Sequence, residues 1–448
     1  MGEWLALILY QALTLLLLPA QVLYLLLRSR RSPGYRLHWS ERFWGQAPLC
    51  PAAPRLWVHA VSVGETQAAI PLIRLWLDAN PAHQLLLTHT TVTGRDTGAR
   101  VFASELGARV VQAYLPYDLP WAVERFLART SPRLGLLMET ESWPLLLRVC
   151  QRQKLPVALI NGRLSERSAR RMRQLSWLAR PTLQALSLAI VQAQEHADRF
   201  AEIAPDLVTR VSGSMKFDLV IQADRVATGE RWRSQFERRG VVLLASSREA
   251  EETAFLLAWK AAAPAQTLLV IVPRHPERFD WVAQETARLG LSCARRSDWG
   301  QGLMPPADRE AAVLLGDSLG EMQAYVAASD CVVVGGSLVP LGGQNPIEAC
   351  AQGRPVVLGP HMFNFPEIAR LLLASGAART ATTAAEAVRI CRQWQEDSDA
   401  YATAAHAAAA FAAAHRGASA RTLALLQAEG LLPRSSGCAQ DAADALEV

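Results

Sequence analysis

The sequence predicts an α/β protein: two doubly wound parallel-sheet domains behind an apolar N-terminal helix. Three observations predict it. Short apolar runs alternate with amphipathic stretches along most of the chain. The alternation stops once, over the polar and charged Gln222–Ser234, and then restarts. Ahead of both series, Trp4–Leu27 runs 24 residues without a charge. Half of the 448 residues are hydrophobic and 19% are charged, which excludes a mainly disordered chain and suits two domains.

Taken in order, the uncharged segment comes first. As a helix rising about 1.5 Å per residue it reaches about 36 Å, enough to cross a hydrocarbon core of about 30 Å. Only Met1, Gly2 and Glu3 precede it, so it lacks the positive leader of a cleaved signal peptide. Arg28, Arg30, Arg31 and Arg36 follow it, and the positive-inside rule places that flank and everything after it in the cytoplasm. A spanning anchor and a helix lying in the interface both fit. The aromatic and basic stretch Tyr35–Trp44 suits an anionic headgroup layer, or a solvated juxtamembrane face.

Next come the buried strands. In the first half they are read at Leu56–Val61, Leu85–Thr90, Leu134–Met138, Val157–Ile160 and Leu186–Val191. In the second half they are read at Val241–Ala245, Leu268–Val272, Val313–Leu315, Cys331–Val334 and Val356–Leu358. Helical stretches such as Thr66–Asp78 separate them, which implies parallel sheets with helices on both faces. The expected organisation is an anchor helix at 1–30, an N-terminal domain at 31–225, a C-terminal domain at 226–430 and a disordered tail at 431–448. Ligands of such sheets bind beyond the carboxyl ends of strands, so a cleft between two facing domains is the expected site.

Several function classes drop out. A net charge of +5 is mild, and no nucleic-acid partner is expected. Seven scattered cysteines without a C-x-x-C pair argue against a disulfide framework and a structural zinc site, and for a reducing compartment. The one D-x-D, Asp397-Ser398-Asp399, reads as solvated helix surface, and no metal or other cofactor is expected.

The chemistry is expected where strands end. In Val58-His59-Ala60-Val61-Ser62-Val63-Gly64-Glu65-Thr66, Glu65 opens a helix and is a candidate general base, or simply satisfies the first helical turn. Met138-Glu139-Thr140-Glu141 repeats the arrangement. A turn there would send one carboxylate to the cleft and leave the other to cap a helix. Lys216 closes the first half as a possible cation for developing negative charge. In the second half, Arg274 follows a strand and suits a phosphate. Gly335-Gly336 and Gly342-Gly343, with Asn345 as N-cap, Pro346 at the first helical position and Glu348 in a capping box, would bare backbone N–H groups for an anion. Neither a Walker loop nor a dinucleotide fingerprint is present.

Together these segments resemble the bacterial lipid A 3-deoxy-D-manno-octulosonic acid (Kdo) transferases, which are GT-B glycosyltransferases. The segments that carry the resemblance, within about residues 1–425, are Ser62–Thr66, Leu115–Asp118, Met138–Glu141, Gly213–Asp218, Pro273–Phe279, Gly316–Met322 and Asn345–Glu348, besides the hydrophobic N-terminus. It implies two facing Rossmann-like domains and inverting transfer of Kdo from CMP-Kdo to a lipid IV-A type lipid A precursor. The enzyme would act on the cytoplasmic side of the bacterial inner membrane, on the membrane surface. By the same resemblance Glu65 is the base, and Glu139 and Lys216 support the transition state; a phosphorylated acceptor would make Arg163 and Arg167 candidates for its phosphates, with plain surface solvation as the alternative for each. Pro273, Arg274, Leu319, Gly320, Glu321, Asn345, Pro346, Ile347 and Glu348 match CMP-contacting positions. The chain departs from the family pattern at Arg248 and Ala250, where donor or acceptor contacts are expected, at Gln344, and at Leu145 after Trp143-Pro144. The competing readings are a GT-B enzyme that uses a UDP-sugar and, from another class, a non-catalytic nucleotide-binding scaffold.

Overall fold

All ten expected strands form, each within two residues of its expected ends. The computed structural model describes residues 2–30, 32–49, 55–236, 240–262, 266–300 and 303–433. In the first unit the strands are β1 (Arg55–His59), β2 (Gln84–His89), β3 (Val110–Tyr114), β4 (Leu134–Met138), β5 (Val157–Gly162), β6 (Leu188–Val191) and β7 (Thr209–Val211). They run parallel in the order β3-β2-β1-β4-β5-β6-β7. The second unit holds β8 (Gly240–Ser247), β9 (Thr267–Pro273), β10 (Cys293–Arg295), β11 (Val313–Leu315), β12 (Cys331–Val334), β13 (Val356–Leu358) and β14 (Ala378–Thr380). Its parallel order is β10-β11-β9-β8-β12-β13-β14.

Four of these strands have no counterpart in the sequence reading: β3, β7, β10 and β14. Each is the outermost strand of its sheet. An outermost strand needs less apolar surface, and Thr209-Arg210-Val211 and Ala378-Arg379-Thr380 break the continuous apolar run that marks a strand buried on both faces. Central strands show that run plainly. Alternate residues of β1 and β4 divide between the two faces, with Trp57 and Leu137 in one core cluster and Leu56, Val58 and Leu136 in the other. Each such fully buried side chain contributes about 1.5–3 kcal/mol.

The division of the chain differs from the expected 225/226 boundary. The first unit comprises residues 1–218 together with 416–448, and the second comprises 219–415. The last helix, Ala418–Ala428, belongs to the first unit and not to the C-terminal domain. Asp218 holds it there by accepting the Gly417 and Ser419 backbone N–H groups at 2.6 and 2.5 Å, and Arg421 donates to Ser212 O at 2.8 Å. Within the expected tail, Leu431 and Leu432 pack on the first core, and residues 434–448 lie outside the described residues.

The apolar N-terminal segment is a single helix, Gly2–Ser29, with its 24-residue apolar stretch at Ala6–Ser29. It is not free on all sides. Ala6 and Leu25 are buried, Ala6 and Leu7 line a small cavity together with Pro144, Leu178 and Pro181, and the Tyr10 hydroxyl hydrogen-bonds Asp118. Ile8, Leu9, Leu13, Leu16, Leu17 and Leu23 stay exposed. The aromatic and basic stretch behind it also departs from a surface face. Tyr35, Arg42 and Phe43 are buried, with the Arg42 guanidinium 3.6 Å from the Tyr114 ring centroid and donating to Thr90 O. A guanidinium sandwiched on aromatic rings is part of the core here and is not available to headgroups.

Candidate active site

In the first sheet the strand order reverses between β1 and β4, and the loops leaving these two strands carry the candidate acids. After β1 the chain enters the helix Val63–Ala79, with Ser62 as N-cap and its hydroxyl accepting the Glu65 N–H. Glu65 reaches back so that Oε2 accepts the Val61 N–H at 2.7 Å. Its Oε1 has only a 3.5 Å contact from the Ser62 hydroxyl, which leaves that oxygen able to take a proton. Glu65 therefore closes the helix start and keeps one carboxylate oxygen free of a close hydrogen bond.

After β4 the chain turns at Glu139, which adopts a left-handed φ of 58°. Such a conformation is uncommon for a non-glycine residue and tends to be kept where function needs it. Glu139 Oε1 lies 3.1 Å from Lys216 Nζ. Lys216 is held by Asn161, at the end of β5, whose Oδ1 accepts the Met215 N–H at 3.1 Å. The expectation that the second acid, Glu141, caps the next helix fails. Its Oε2 accepts the Trp143 indole N–H at 2.8 Å, and the helix Pro144–Arg152 is capped from afar by Asp118, which accepts the Leu145 and Leu146 N–H groups. Glu141 is taken up by the indole, and the buried Asp118 accepts the helix-start N–H groups instead.

Electrostatics singles out Glu65. Burial, reinforced by the negative charges of Glu139 and Glu141, raises its pKa to about 7 against the lowering pull of the Val61 N–H and Lys216. A carboxyl poised near neutral pH is what a general base requires. Burial lowers the His59 and His89 pKa values to about 3 and about 4, so both imidazoles are neutral.

In the second sheet the order reverses between β8 and β12, and again the loops there carry the polar groups. Glu251 is buried and accepts backbone N–H groups from Gly336 at 2.7 Å, Leu338 at 3.2 Å and Arg248 at 3.2 Å. Glu252, fully buried, takes Arg278 through two hydrogen bonds of 2.8 and 3.1 Å and so fixes the loop after β9. Arg274, in that same loop, is exposed, and among the described residues its guanidinium has no hydrogen bond or ion pair.

The family model described as 3-deoxy-D-manno-octulosonic-acid transferase (kdotransferase) matches residues 37–219. The chain is similar to the 3-deoxy-D-manno-octulosonic acid transferase of Bordetella pertussis, 43% identical over 89% of this chain and 94% of that one. The chain belongs to the Kdo transferase family. A second relative is the Haemophilus influenzae transferase of the same name, 35% identical over 81% of this chain and 84% of that protein. The crystal structure of Anabaena HepE in complex with UDP and glucose shares the fold at TM-score 0.53 and 16% identity, covering 85% of this chain and all of that one. This Kdo transferase is accordingly a glycosyltransferase of GT-B type, and the scaffold reading falls.

Within the Kdo transferase the expected anion loop is built differently. The Gly343 N–H donates to Gly336 O, the Gln344 N–H to Gly335 O, and the Gly336 N–H to Glu251, so these glycine amides are spent inside the protein rather than bared. The close crossing of the two glycine pairs requires this, because amides buried there need partners. The short helix starts at Ile347 with Pro346 at the N-cap, one residue later than expected, so Asn345 is not the N-cap, although its Oδ1 accepts the Ile347 N–H at 3.0 Å. Glu348 does not close a capping box: its carboxylate meets the Gln323 amide, and burial raises its pKa. The Glu321 side chain turns to Arg296 at 2.9 Å, while Leu319 and Gly320 stay at the surface, with Gly320 at φ 78°. Pro273 closes β9 in the core. Arg163, whose N–H donates to Glu139 O, and the exposed Arg167 have no side-chain ion pair among the described residues. Asp397 is exposed and caps the following helix through the Asp399 and Ala400 N–H groups, as a solvated acid would. Sequence reasoning missed roles for Glu251, Glu252, Asp118 and Asn161. Adjacent acids just after a strand were the available signal for the first two.

Proposed function

We propose that the protein transfers Kdo from CMP-Kdo to a hydroxyl of a lipid A precursor of lipid IV-A type, with inversion at the anomeric carbon and Glu65 as the base. The observation that carries this reading is a half-buried carboxylate at a strand-order reversal, with one oxygen uncommitted and a pKa raised to about 7. Glu65 Oε1 takes the acceptor hydroxyl proton as that oxygen bonds to the anomeric carbon. The bond from that carbon to the CMP phosphate breaks, and CMP leaves with the electron pair. Glu139 and Lys216 hold charge beside this centre. In the second unit Arg274 meets the CMP phosphate, with Pro273, Leu319–Glu321 and Asn345–Glu348 around the nucleotide. Arg163 and Arg167 take acceptor phosphates, and the exposed leucine face of the N-terminal helix stays in the bilayer on the cytoplasmic side of the inner membrane.

The test is mass spectrometry of the lipid after incubation with CMP-Kdo and tetraacylated lipid A precursor. A gain of one or more Kdo units with CMP released is expected; release of UDP from a UDP-sugar instead would overturn the donor. Two variants probe the donor side. Arg274→Ala should raise KM for CMP-Kdo by about 10-fold to 100-fold through loss of a charged hydrogen bond, with kcat less affected. An unchanged KM removes Arg274 from phosphate binding. Glu251→Gln leaves one of three buried N–H donors facing an amide NH₂. It should lower the thermal midpoint and raise donor KM by about 10-fold; a wild-type KM would show that the Gly336–Leu338 turn does not shape the donor site.

A further inference from the structure

The helix Gly2–Ser29 is long enough to cross a bilayer, yet its surroundings are those of a helix that does not. Its buried and half-buried residues, among them Tyr10, Thr14, Leu18, Gln21, Leu25 and Ser29, recur at steps of three and four. They form one stripe along the whole helix, and the first unit covers that stripe. The N-terminal turns pack on the helices Pro144–Arg152 and Ser176–Gln184. Next, the Tyr10 hydroxyl hydrogen-bonds the buried Asp118. Leu18, Val22 and Leu25 then join Tyr35 and Phe43 in a cluster, and the Ser29 hydroxyl accepts from Arg36 Nε at 2.9 Å.

Ala6 and Leu25 are thus held on the same unit by sites about 28 Å apart along the helix, close to the thickness of a hydrocarbon core. A crossing helix is surrounded by acyl chains over that length, and a unit with polar loops cannot follow it through. The exposed Arg148 lines the same small cavity as Ala6 and Leu7, where a crossing helix would have its far end. The side chains divide accordingly. Tyr10, Gln11, Thr14 and Gln21, the polar residues between Ala6 and Leu23, all fall in the covered stripe. The opposite face from Ile8 to Leu23 is exposed and wholly apolar. Exposed tryptophans belong to the elements at both ends: Trp177 in the helix Ser176–Gln184, and Trp44, which meets Trp121 and follows Phe43. Arg28 and Arg30 are exposed where the helix ends. Indole rings and long cationic side chains suit the headgroup level of a membrane.

We propose that the helix Gly2–Ser29 lies in the plane of one leaflet, its leucine face against acyl chains and the first unit against its other side, so that the chain does not cross the membrane. The inference rests on the reading that this face meets the bilayer, and adds that the N-terminus stays on the side of the catalytic units. Asp118, which accepts from Tyr10, also caps the helix that follows the Glu139 loop. The membrane helix is therefore tied to the candidate site through one residue, which fixes how that site is presented to a lipid acceptor.

The test uses full-length protein carrying an epitope tag ahead of Met1, in inside-out vesicles of bacterial inner membrane, with protease added outside. The tag is expected to be cleaved at the same rate, within about 2-fold, with and without detergent. A tag protected until detergent is added, while the units outside are digested, shows a crossing helix and overturns the inference alone. A second measurement asks what covers the leucine face. Leu16→Glu with Leu23→Glu, both at exposed positions, should lower binding to vesicles of phosphatidylethanolamine and phosphatidylglycerol by about 10-fold or more and leave the thermal midpoint in detergent unchanged. Vesicle binding at the wild-type level would mean that lipid does not cover this face, and would overturn the bilayer reading with it. Tyr10→Phe, which leaves Asp118 without that hydroxyl, should lower the thermal midpoint; an unchanged midpoint counts against docking of the helix on the first unit. The tag measurement on the wild type depends on no variant folding, and the lipid mass assay decides the transfer reaction separately.

Discussion

Glu65→Gln is expected to lower kcat by about 10²-fold to 10⁴-fold, the usual contribution of a general base, while CMP binding stays at the wild-type level. Glutamine keeps an oxygen for the Val61 N–H, so the start of the helix Val63–Ala79 should survive. Activity should also depend on pH in a defined direction. The base works when ionised, and its pKa is raised to about 7, so kcat/KM of the wild type should rise through pH 7 and level off above it. Stability should move the opposite way. A carboxyl whose folded pKa lies above its unfolded value makes the folded state bind more protons, so stability falls as pH rises from the ordinary carboxylate range to about 7. Glu65→Gln lacks that loss and should unfold at a higher temperature than wild type at mildly alkaline pH. Calorimetry at two pH values checks this, and equal midpoints there would mean that the carboxylate is not strained by its surroundings.

Lys216→Met should cost nearly as much, about 10²-fold to 10³-fold in kcat. The variant removes a cation that lies 3.1 Å from Glu139 and lowers the pKa of Glu65. Without it the Glu65 pKa should rise further, and the acid limb should move up. Steady-state kinetics across the neutral range decides the matter. A limb moving down, or a kcat near wild type, would place Lys216 outside the reacting centre. A general loss of packing would lower activity evenly across pH and leave the limb in place.

Much of the site could be read from the chain. Glu65, Glu139 and Lys216 were found as groups at the ends of segments, and the structure brings Glu139 to Lys216 and lets both act on Glu65. What could not be read were the groups that hold others in place from far along the chain. Asp118 caps a helix that begins 26 residues later, Glu251 ties down a turn 85 residues away, and Asn161 fixes the segment of Lys216. A hydrogen bond between distant residues leaves no periodicity. The anion loop shows the same limit from the other side: the glycines promised free N–H groups, and folding paired those of Gly335, Gly336 and Gly343.

By itself the sequence determined the two parallel sheets, the central strands and the apolar helix, because burial on both faces and the helical repeat are written as local patterns of apolar residues. It also carried the family, through short motifs at strand ends. Tertiary structure decided which strands lie outermost, that the last helix joins the first unit, and that one face of the N-terminal helix rests on protein. It also decided that Glu65 stands among like charges with a raised pKa. Those outcomes depend on what lies beside a residue in space, and long-range packing and charge are properties of the folded arrangement that no window along the chain contains.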